Sequence, residues 1–368
     1  MKTPGKKVKT SLLACLIAVS CGAAVVPSTT AEAFSLGNLG TIGTLINAGA
    51  EYIYLDQQLR YLDNEGRDDF MKQIKKKYGV STDERANAML TRIVTNLSAS
   101  IAQTDPSITK KPYNYFVNED KDFNAFCTIG HNLSVNIGLF EPLNYNENEI
   151  AFIVAHEMGH GQKGHPISGI KKTMPISLIA SIAGANGGAA EVGSAILSQI
   201  GTAKLITKPM EIDADALAFT YAVNAGYNIG GGAAVWQRVL DHADGKTKSS
   251  GVMELFNDHP TNINRLKTYS EDITKWSNGV VKVNGDSGMI SLHDKDWYKP
   301  ETIDSMSGKE RAYLIAGNLS AVYHNDKTTT EKAYRGEDNI LYVGKQPIMD
   351  LAPEKAPEEV TASLQKLL

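Results

Sequence analysis

Apolar positions recur at helical spacing through most of this chain. From Ala86 to Ile101 they return every three or four residues, which predicts an amphipathic helix. Ser81 and Glu84 precede that run as a capping box, so we expect Ser81 to cap the helix. The same pattern opens a second helix, which the sequence predicts over residues 146–161.

Short strand-like runs lie between these two helices. Tyr113–Val117 predicts one strand, and Asn124–Thr128 with Leu133–Ile137 predict a hairpin around Gly130. We expect a small mixed sheet with Leu133–Gly138 as an edge strand that precedes the second helix.

The remaining pattern is mainly helical up to about residue 280. The predicted helices are Leu36 to about Lys77, two helices within Ile176–Ile200 that break at a glycine cluster, Pro209–Asn224, Gly231–His242 and one from Ser307. After Asn278 the composition becomes turn-rich. We therefore predict an α+β protein with a signal peptide at 1–33, a mainly helical core domain at 34–279 and a smaller C-terminal α/β accessory domain at 280–368.

The N-terminus has the pattern of a secretory leader. Four lysines within the first nine residues precede an almost uncharged apolar run over Ser11–Val26. Ala31 and Ala33 then predict cleavage before Phe34, and so export of the mature chain. A retained membrane anchor and lipid attachment at Cys21 are the alternatives, although the apolar run is shorter than the ~20 residues that span a bilayer.

Composition narrows the functional classes. The chain has 368 residues and a formal net charge of -4, with no basic excess beyond the extreme N-terminus, so we expect no nucleic-acid partner. Of the three cysteines only Cys127 remains after the leader, which excludes an internal disulfide.

One short segment carries candidate chemistry. His156 and His160 are four residues apart, so they share one helix face and can both direct ring nitrogens at one ion. Glu157 lies beside that face, where it can reach a water at the metal as a general base. This is the H-E-x-x-H pattern of zinc hydrolases, and it predicts one Zn²⁺ per chain.

The third ligand discriminates between classes of zinc hydrolase. Lys163 and Pro166 stand where metzincins need Gly and His, which excludes that class. His165 has the wrong offset, and we expect it to be a loop residue.

Downstream, Glu211 and Asp215 form a helical E-x-x-x-D. Glu211 would complete the ligand set, and Asp215 could hold a ligand imidazole in the required tautomer. The alternative is an ordinary acidic helix start.

These motifs together resemble a known family. The chain is similar to secreted gluzincin-type metallopeptidases of the HtpX-like and CAAX-prenyl-endopeptidase superfamily, in its soluble branch. The resemblance covers about residues 80–275 and rests on Asn124–Phe126, Val135–Leu139, the zinc helix, Glu211–Asp215, and His259-Pro260 followed by Arg265.

The resemblance implies a zincin-like core, Glu211 as the third zinc ligand, and His259 and Arg265 beside the active site. Together with the leader it also implies export across the inner membrane of a bacterium to the periplasm or cell envelope. We therefore expect a zinc endopeptidase in which His259 stabilises the oxyanion. Arg265 is the second candidate for this role. An ordinary helix-start histidine and an Arg265 that pairs with Asp215 are the alternatives. Where the family usually has a glycine-rich stretch, this chain has Thr128–Asn132, so the tip of the predicted hairpin departs from the family pattern.

An extended peptide could add to the predicted edge strand through Leu133, Ser134, Val135 and Asn136, which would suit unfolded or extended protein substrates. We also expect the N-terminal apolar helix to contact a membrane surface or an envelope protein. The alternative function is an autoinhibited or chaperone-like binding protein, whose zinc site is plugged by the insert between His160 and Glu211 or by His259.

Overall fold

A computed structural model of the chain describes residues 36–200, 206–244 and 262–368. The predicted leader at 1–33, with Cys21 and the cleavage point before Phe34, lies outside the described residues, as does His259. Among the helices that are described, none combines the length and the hydrophobicity needed to cross a membrane.

Helices dominate the described chain, and the predicted α+β class is confirmed. The helices are α1 Leu36–Asp63, α2 Arg67–Tyr78, α3 Glu84–Thr104, α4 Ser107–Lys110, α5 Glu147–Gln162, α6 His165–Thr173, α7 Ile176–Gly184, α8 Ala189–Gln199, α9 Lys208–Asn224, α10 Gly231–Asp244, α11 Asn262–Trp276, α12 Gly308–Val322 and α13 Pro357–Gln365. The strands are β1 Asn114–Asn118, β2 Ala125–Thr128, β3 Asn132–Asn136, β4 Val281–Val283, β5 Ile290–Leu292, β6 Lys295–Tyr298, β7 Ala333–Arg335, β8 Ile340–Val343 and β9 Gln346–Asp350.

Helix α3 follows the predicted pattern but is capped by a different residue. The Asp83 carboxylate accepts a hydrogen bond from the backbone N–H of Ala86 at 2.7 Å, which makes Asp83 the N-cap. The Ser81 hydroxyl instead accepts from the N–H of Asp83 at 3.3 Å. The prediction that Ser81 caps this helix is therefore wrong by two residues, because the Asp83 carboxylate, and not the Ser81 hydroxyl, accepts from a backbone N–H of the first helical turn.

The first sheet lies beside helix α5. Strand β3 is in its centre, parallel to β1 on one side and antiparallel to β2 on the other. The prediction that Leu133, Ser134, Val135 and Asn136 form a substrate-binding edge strand is wrong, since both backbone edges of β3 are already paired and these four residues are buried.

Strand β2 is the edge strand that contacts helix α5. The N–H of Asn136 donates to the carbonyl of Asn124 at 3.0 Å, which sets the register of the β2–β3 ladder. Because alternate residues of an antiparallel strand bond to the same neighbour, the backbone groups of Ala125 and Cys127 face away from β3.

One hydrophobic core extends from α3 to the C-terminal helix α13. It includes residues of α3, the first sheet, α5, α10 and α11, and it continues through Leu292, Tyr313, Leu341 and Leu364. The domain boundary near residue 280 stays a prediction, but the segment beyond it shares its interior with the helices before it. A second cluster packs α1 and α2 against α6, α7 and α8.

Three buried charged side chains connect α5 to the C-terminal part. Glu149 of α5, Arg238 of α10 and Glu310 of α12 have exposed fractions of 0%, 2% and 1%. The Arg238 guanidinium donates to Glu310, and its Nε lies 3.6 Å from Glu149 Oε2. Burial raises the pKa of Glu310 to about 7, and burial together with the Glu310 charge raises the pKa of Glu149 well above its usual range. One guanidinium thus balances one of the two carboxylates, and a proton balances the other.

A pH dependence of stability follows. Because the folded-state pKa of Glu310 is raised above the ~4.3 of an unfolded glutamate, its contribution to stability is complete below about pH 4 and is lost as the pH rises through about 7. We expect Glu310→Gln to remove about 1–3 kcal/mol of this pH-dependent loss, measured as the free energy of unfolding in urea between pH 5 and 8 with zinc in excess. Glu301→Gln is the control, since Glu301 is exposed and pairs with Lys355. Equal pH slopes for Glu310→Gln and the unchanged protein would contradict the proton-sharing pair.

Candidate metal centre

Two helices bring three ligand side chains together. His156 and His160 project from α5, and Glu211 projects from the first turn of α9. The two histidine Nε2 atoms are 3.0 Å apart, and each lies 3.4 Å from a carboxylate oxygen of Glu211. All three side chains are buried, and together they form the cluster that could hold a metal ion within the described chain.

The close approach of α5 and α9 makes this cluster possible. Gly159 faces α9, where an added Cβ would lie 3.2 Å from the carbonyl oxygen of Ala214. A side chain at 159 would therefore require α9 to shift by a few tenths of an ångström. Glycine at this position allows the close packing of the helix that carries Glu211 against the helix that carries the two histidines.

The donor set fits a zinc ion. Tetrahedral zinc with bonds of 2.0–2.2 Å separates its ligand atoms by ~3.4 Å, close to the observed spacing. The charge fits as well. Glu157, Glu211 and Asp215 are three buried carboxylates around one guanidinium, that of Arg265, so a divalent cation balances the remaining negative charge. Two neutral imidazoles and a carboxylate are the ligand types that zinc hydrolases use.

Asp215 and Arg265 lie behind His156. Asp215 Oδ1 is 3.0 Å from His156 Nδ1, which leaves Nε2 as the nitrogen that faces the ligand cluster. Arg265 Nε donates to Asp215 Oδ2 at 2.7 Å, and its guanidinium carbon lies 3.7 Å from the ring centroid of Trp236. The Tyr269 hydroxyl also donates to Asp215 Oδ1, at 3.1 Å. These contacts correspond to the alternative in which Arg265 pairs with Asp215 and does not act on the oxyanion.

The surrounding carboxylates favour positive charge at His156. Burial and the Arg265 charge oppose a proton on its ring, but hydrogen bonds to Asp215 and Glu211 outweigh them and raise its pKa to about 9. Burial alone would raise the pKa of Asp215, whereas Arg265 and His156 hold it below its usual range. Asp215 therefore stays ionised, and the centre attracts a cation.

Glu157 lies beside the ligand cluster and is held by the sheet. Its Oε2 accepts a hydrogen bond at 2.9 Å from the backbone N–H of Cys127, on the outward edge of β2. Burial, and then the Glu157 charge, raise the pKa of the Cys127 thiol well above its usual range. Cys127 thus contributes its backbone to the site, and its thiol stays protonated.

His165 is the residue that sequence reasoning missed. It begins α6 directly after Gly164, whose φ of +62° turns the chain back toward α5. Its Nδ1 lies 2.9 Å from Nδ1 of His160, and its exposed fraction is only 6%. The expectation of a loop histidine is wrong. Its spacing from His160 was visible in the sequence, but nothing there showed the turn at Gly164 that brings the rings together.

The structure thus gathers His156, Glu157, His160, Glu211 and Asp215 at one place, with Arg265 behind them. The four predicted substrate-binding residues, Leu133 to Asn136, lie instead on β3, the central strand of the first sheet.

We expect His165→Ala to weaken zinc binding by about 10–100-fold, because the Nδ1–H of His160 loses its acceptor and the ring loses its orientation. His165→Asn restores an acceptor at that position and should stay within about threefold of the unchanged protein. Competition titration with a chromogenic chelator measures both constants. Equal affinities for all three proteins would show that His165 does not orient the ligand.

Comparisons with known proteins agree with this geometry. The model of peptidase family M48 matches residues 84–273. Metalloprotease LoiP of Escherichia coli K12 is 26% identical over 233 residues, which are 61% of this chain and 85% of that protein.

Two longer relatives are named for β-barrel assembly. The putative beta-barrel assembly-enhancing protease of Vibrio cholerae is 25% identical over 241 residues, which are 63% of this chain and 46% of that protein. The beta-barrel assembly-enhancing protease of E. coli K12 is 22% identical over 272 residues, which are 71% of this chain and 52% of that protein. The chain spans about half the length of these two relatives.

The family match covers more than half of the chain and includes every residue of the metal centre. This protein therefore belongs to peptidase family M48 and is a metalloendopeptidase.

Proposed function

We propose that this protein is a zinc-dependent endopeptidase of the bacterial cell envelope that hydrolyses unfolded or extended protein chains. The observation that carries the proposal is the buried cluster of His156, His160 and Glu211 with Glu157 beside it on the same helix. In this proposal one Zn²⁺ per chain binds to the three ligands.

Zinc at this position supplies a Lewis acid, which polarises the scissile carbonyl and makes water a better nucleophile. Glu157 takes the proton that the water loses as it attacks, and then donates that proton to the leaving amine. The hydrogen bond from the Cys127 N–H fixes the direction of the Glu157 carboxylate, so that it is positioned as a base.

Residues around the ligands act through position. Asp215 fixes the tautomer of His156, Arg265 fixes Asp215, and His165 accepts from His160. We propose that Arg265 acts through Asp215 and not on the oxyanion. The proposed donor to the oxyanion is His259, as the sequence resemblance implies.

Strand β2 replaces β3 as the proposed substrate edge. The backbone groups of Ala125 and Cys127 face away from β3, and their N–H groups already donate to Asn124 Oδ1 and Glu157 Oε2. An extended peptide that adds there therefore pairs through its own N–H groups with the outward carbonyls of β2. Backbone pairing of this kind favours unfolded chains, because a folded substrate has few unpaired strands to offer.

The envelope location rests on sequence. The leader pattern predicts export, and two relatives are named for enhancing β-barrel assembly. We infer that substrates include envelope proteins in an incompletely folded state. An accessory role for residues 280–368 belongs to the same proposal.

We expect zinc-loaded protein to cleave casein, and a chelator to stop the reaction. Glu157→Gln should lower kcat by at least about 1,000-fold while it leaves bound zinc near one ion per chain, since the amide cannot take up a proton. Cleavage is followed by gel and mass spectrometry, and zinc by elemental analysis.

Glu147→Gln is the matched control, because Glu147 lies on the same helix but pairs with Arg92 at the surface. Zinc-bound protein that cleaves neither casein nor unfolded envelope proteins would contradict the proposal. If activity then appeared after part of residues 170–205 was deleted, the plugged site would be the correct alternative.

A further inference from the structure

We propose that a cleft in the C-terminal part of the chain binds cationic apolar segments of unfolded proteins, and so holds substrate chains at a distance from the metal centre. The cleft lies between α12, the end of β9 and the turn at residues 303–306. The recruitment of substrates rests on the proposed function, whereas the binding of the segment does not. The experiment below separates the two.

One face of α12 forms the floor of the cleft. Four residues of this helix line it at helical spacing: Arg311, Leu314, Ile315 and Asn318. Ile348 and Met349 of β9 line it as well, and both are at most 7% exposed. An apolar side chain gains free energy when it moves from water to such a surface.

The size and the opening of the cleft suit the side chains of a continuing chain. Its volume is about 360 Å³, within the ~300–1,000 Å³ of pockets that bind drug-sized ligands. Asp304, Asp350 and Pro353 at its rim are exposed, so the main chain of an occupant can continue past the opening. Met306 and Met349 both line the cleft, and their unbranched side chains adapt to occupants of different shape.

The rim offers negative charge and hydrogen-bond acceptors. Neither Asp304 nor Asp350 has an ion-pair partner among the residues that the structure describes. Asn144 and Asn318, which also line the cleft, use their amide Nδ2 groups for hydrogen bonds within the protein, at 2.7 and 3.0 Å. Their Oδ1 atoms remain as acceptors. A ligand with N–H donors and a positive charge complements this rim.

The Arg311 guanidinium lines the cleft but is already paired. It donates to the Glu354 carboxylate at 2.5 Å and to the carbonyl of Glu301 at 2.7 Å. Arg311 therefore does not balance the charges of Asp304 and Asp350. An anionic ligand would meet two uncompensated carboxylates, so the charge of the rim excludes it.

The rim has a fixed shape. Ile303 and Met306 each donate their backbone N–H to the carbonyl of the other, at 3.0 and 2.9 Å. Asp304 at the tip of this turn has a φ of +51°. Asn144, in the segment that leads into α5, donates to the Ser305 hydroxyl. A cleft that is already formed binds its occupant without the cost of ordering its walls.

The occupant is a protein segment in which an aliphatic or aromatic residue lies next to lysine or arginine. The apolar side chain enters the cleft, and its cationic neighbour contacts the rim. Asn144 lies just before α5, and the helix from Glu147 to His156 spans about 14 Å. An extended chain covers this length with about five residues. One unfolded substrate can therefore occupy the cleft and the metal centre together.

The test uses zinc-loaded full-length mature protein with Glu157→Gln, so that bound peptide is not cleaved. Fluorescence anisotropy measures the affinities of three labelled peptides, which carry leucine–lysine, leucine–glutamate or serine–lysine pairs in the same glycine–serine background. We expect the leucine–lysine peptide to bind at least about tenfold more tightly than either of the others, because only this peptide matches both the floor and the rim.

Asp304→Asn together with Asp350→Asn removes the charge of the rim. Asparagine tolerates the positive φ at 304, and at 350 it keeps the Oδ1 that accepts from the N–H of Ala352 at 2.8 Å. We expect this double variant to bind the leucine–lysine peptide about fivefold more weakly. Asp296→Asn is the matched control, since Asp296 is exposed on β6 outside the cleft, and it should leave the affinity unchanged.

Cleavage by the active protein gives a second measurement. For a peptide substrate with a leucine–lysine pair about five residues or more from the scissile bond, we expect the double variant to raise KM about fivefold while kcat changes less than about twofold. An unchanged KM would overturn the recruitment of substrates.

Equal affinities for the three peptides, or an equal affinity of the double variant for the leucine–lysine peptide, would overturn the binding site and leave the proposed function standing. Hexylamine that binds as tightly as the peptide would overturn the assignment to a protein segment. Zinc-loaded protein that cleaves no substrate, but whose peptide binding still depends on Asp304 and Asp350, would overturn the proposed function and support the binding site.

Discussion

The excess of buried negative charge between α5, α9 and α11 is the constraint on which the rest of the structure depends. Glu157, Glu211 and Asp215 lie within one buried region with the guanidinium of Arg265. Charged groups in a protein interior require compensation, and a divalent cation held by His156, His160 and Glu211 would provide it here. The close packing at Gly159, the position of Glu211 and the buried Arg265 are all explained as parts of a single cation site.

The groups that orient the ligands form one continuous set of contacts. Asp215 lies between His156 and Arg265, and the Arg265 guanidinium in turn packs on the Trp236 ring. A change in any of these side chains therefore affects the direction of a ligand imidazole.

The local sequence predicted those parts of the fold and site that depend on helical spacing. His156 and His160 share a face because they are four residues apart, and Glu211 with Asp215 repeats that geometry on α9. Two parts were not predictable because they depend on tertiary contacts. The first is the central position of β3 in its sheet, because β3 pairs with β1, from which it is separated by a long connection. His165 reaches His160 only through the turn at Gly164.

The salt-bridged group of Glu149, Arg238 and Glu310 has a consequence for the C-terminal segment. Two of its members lie on helices α5 and α10, and the third lies beyond residue 280. Removal of the segment would leave the Arg238 guanidinium with Glu149 alone and would open both side chains to solvent. The segment therefore determines how deeply this charged group is buried, and with it the protonation of Glu149.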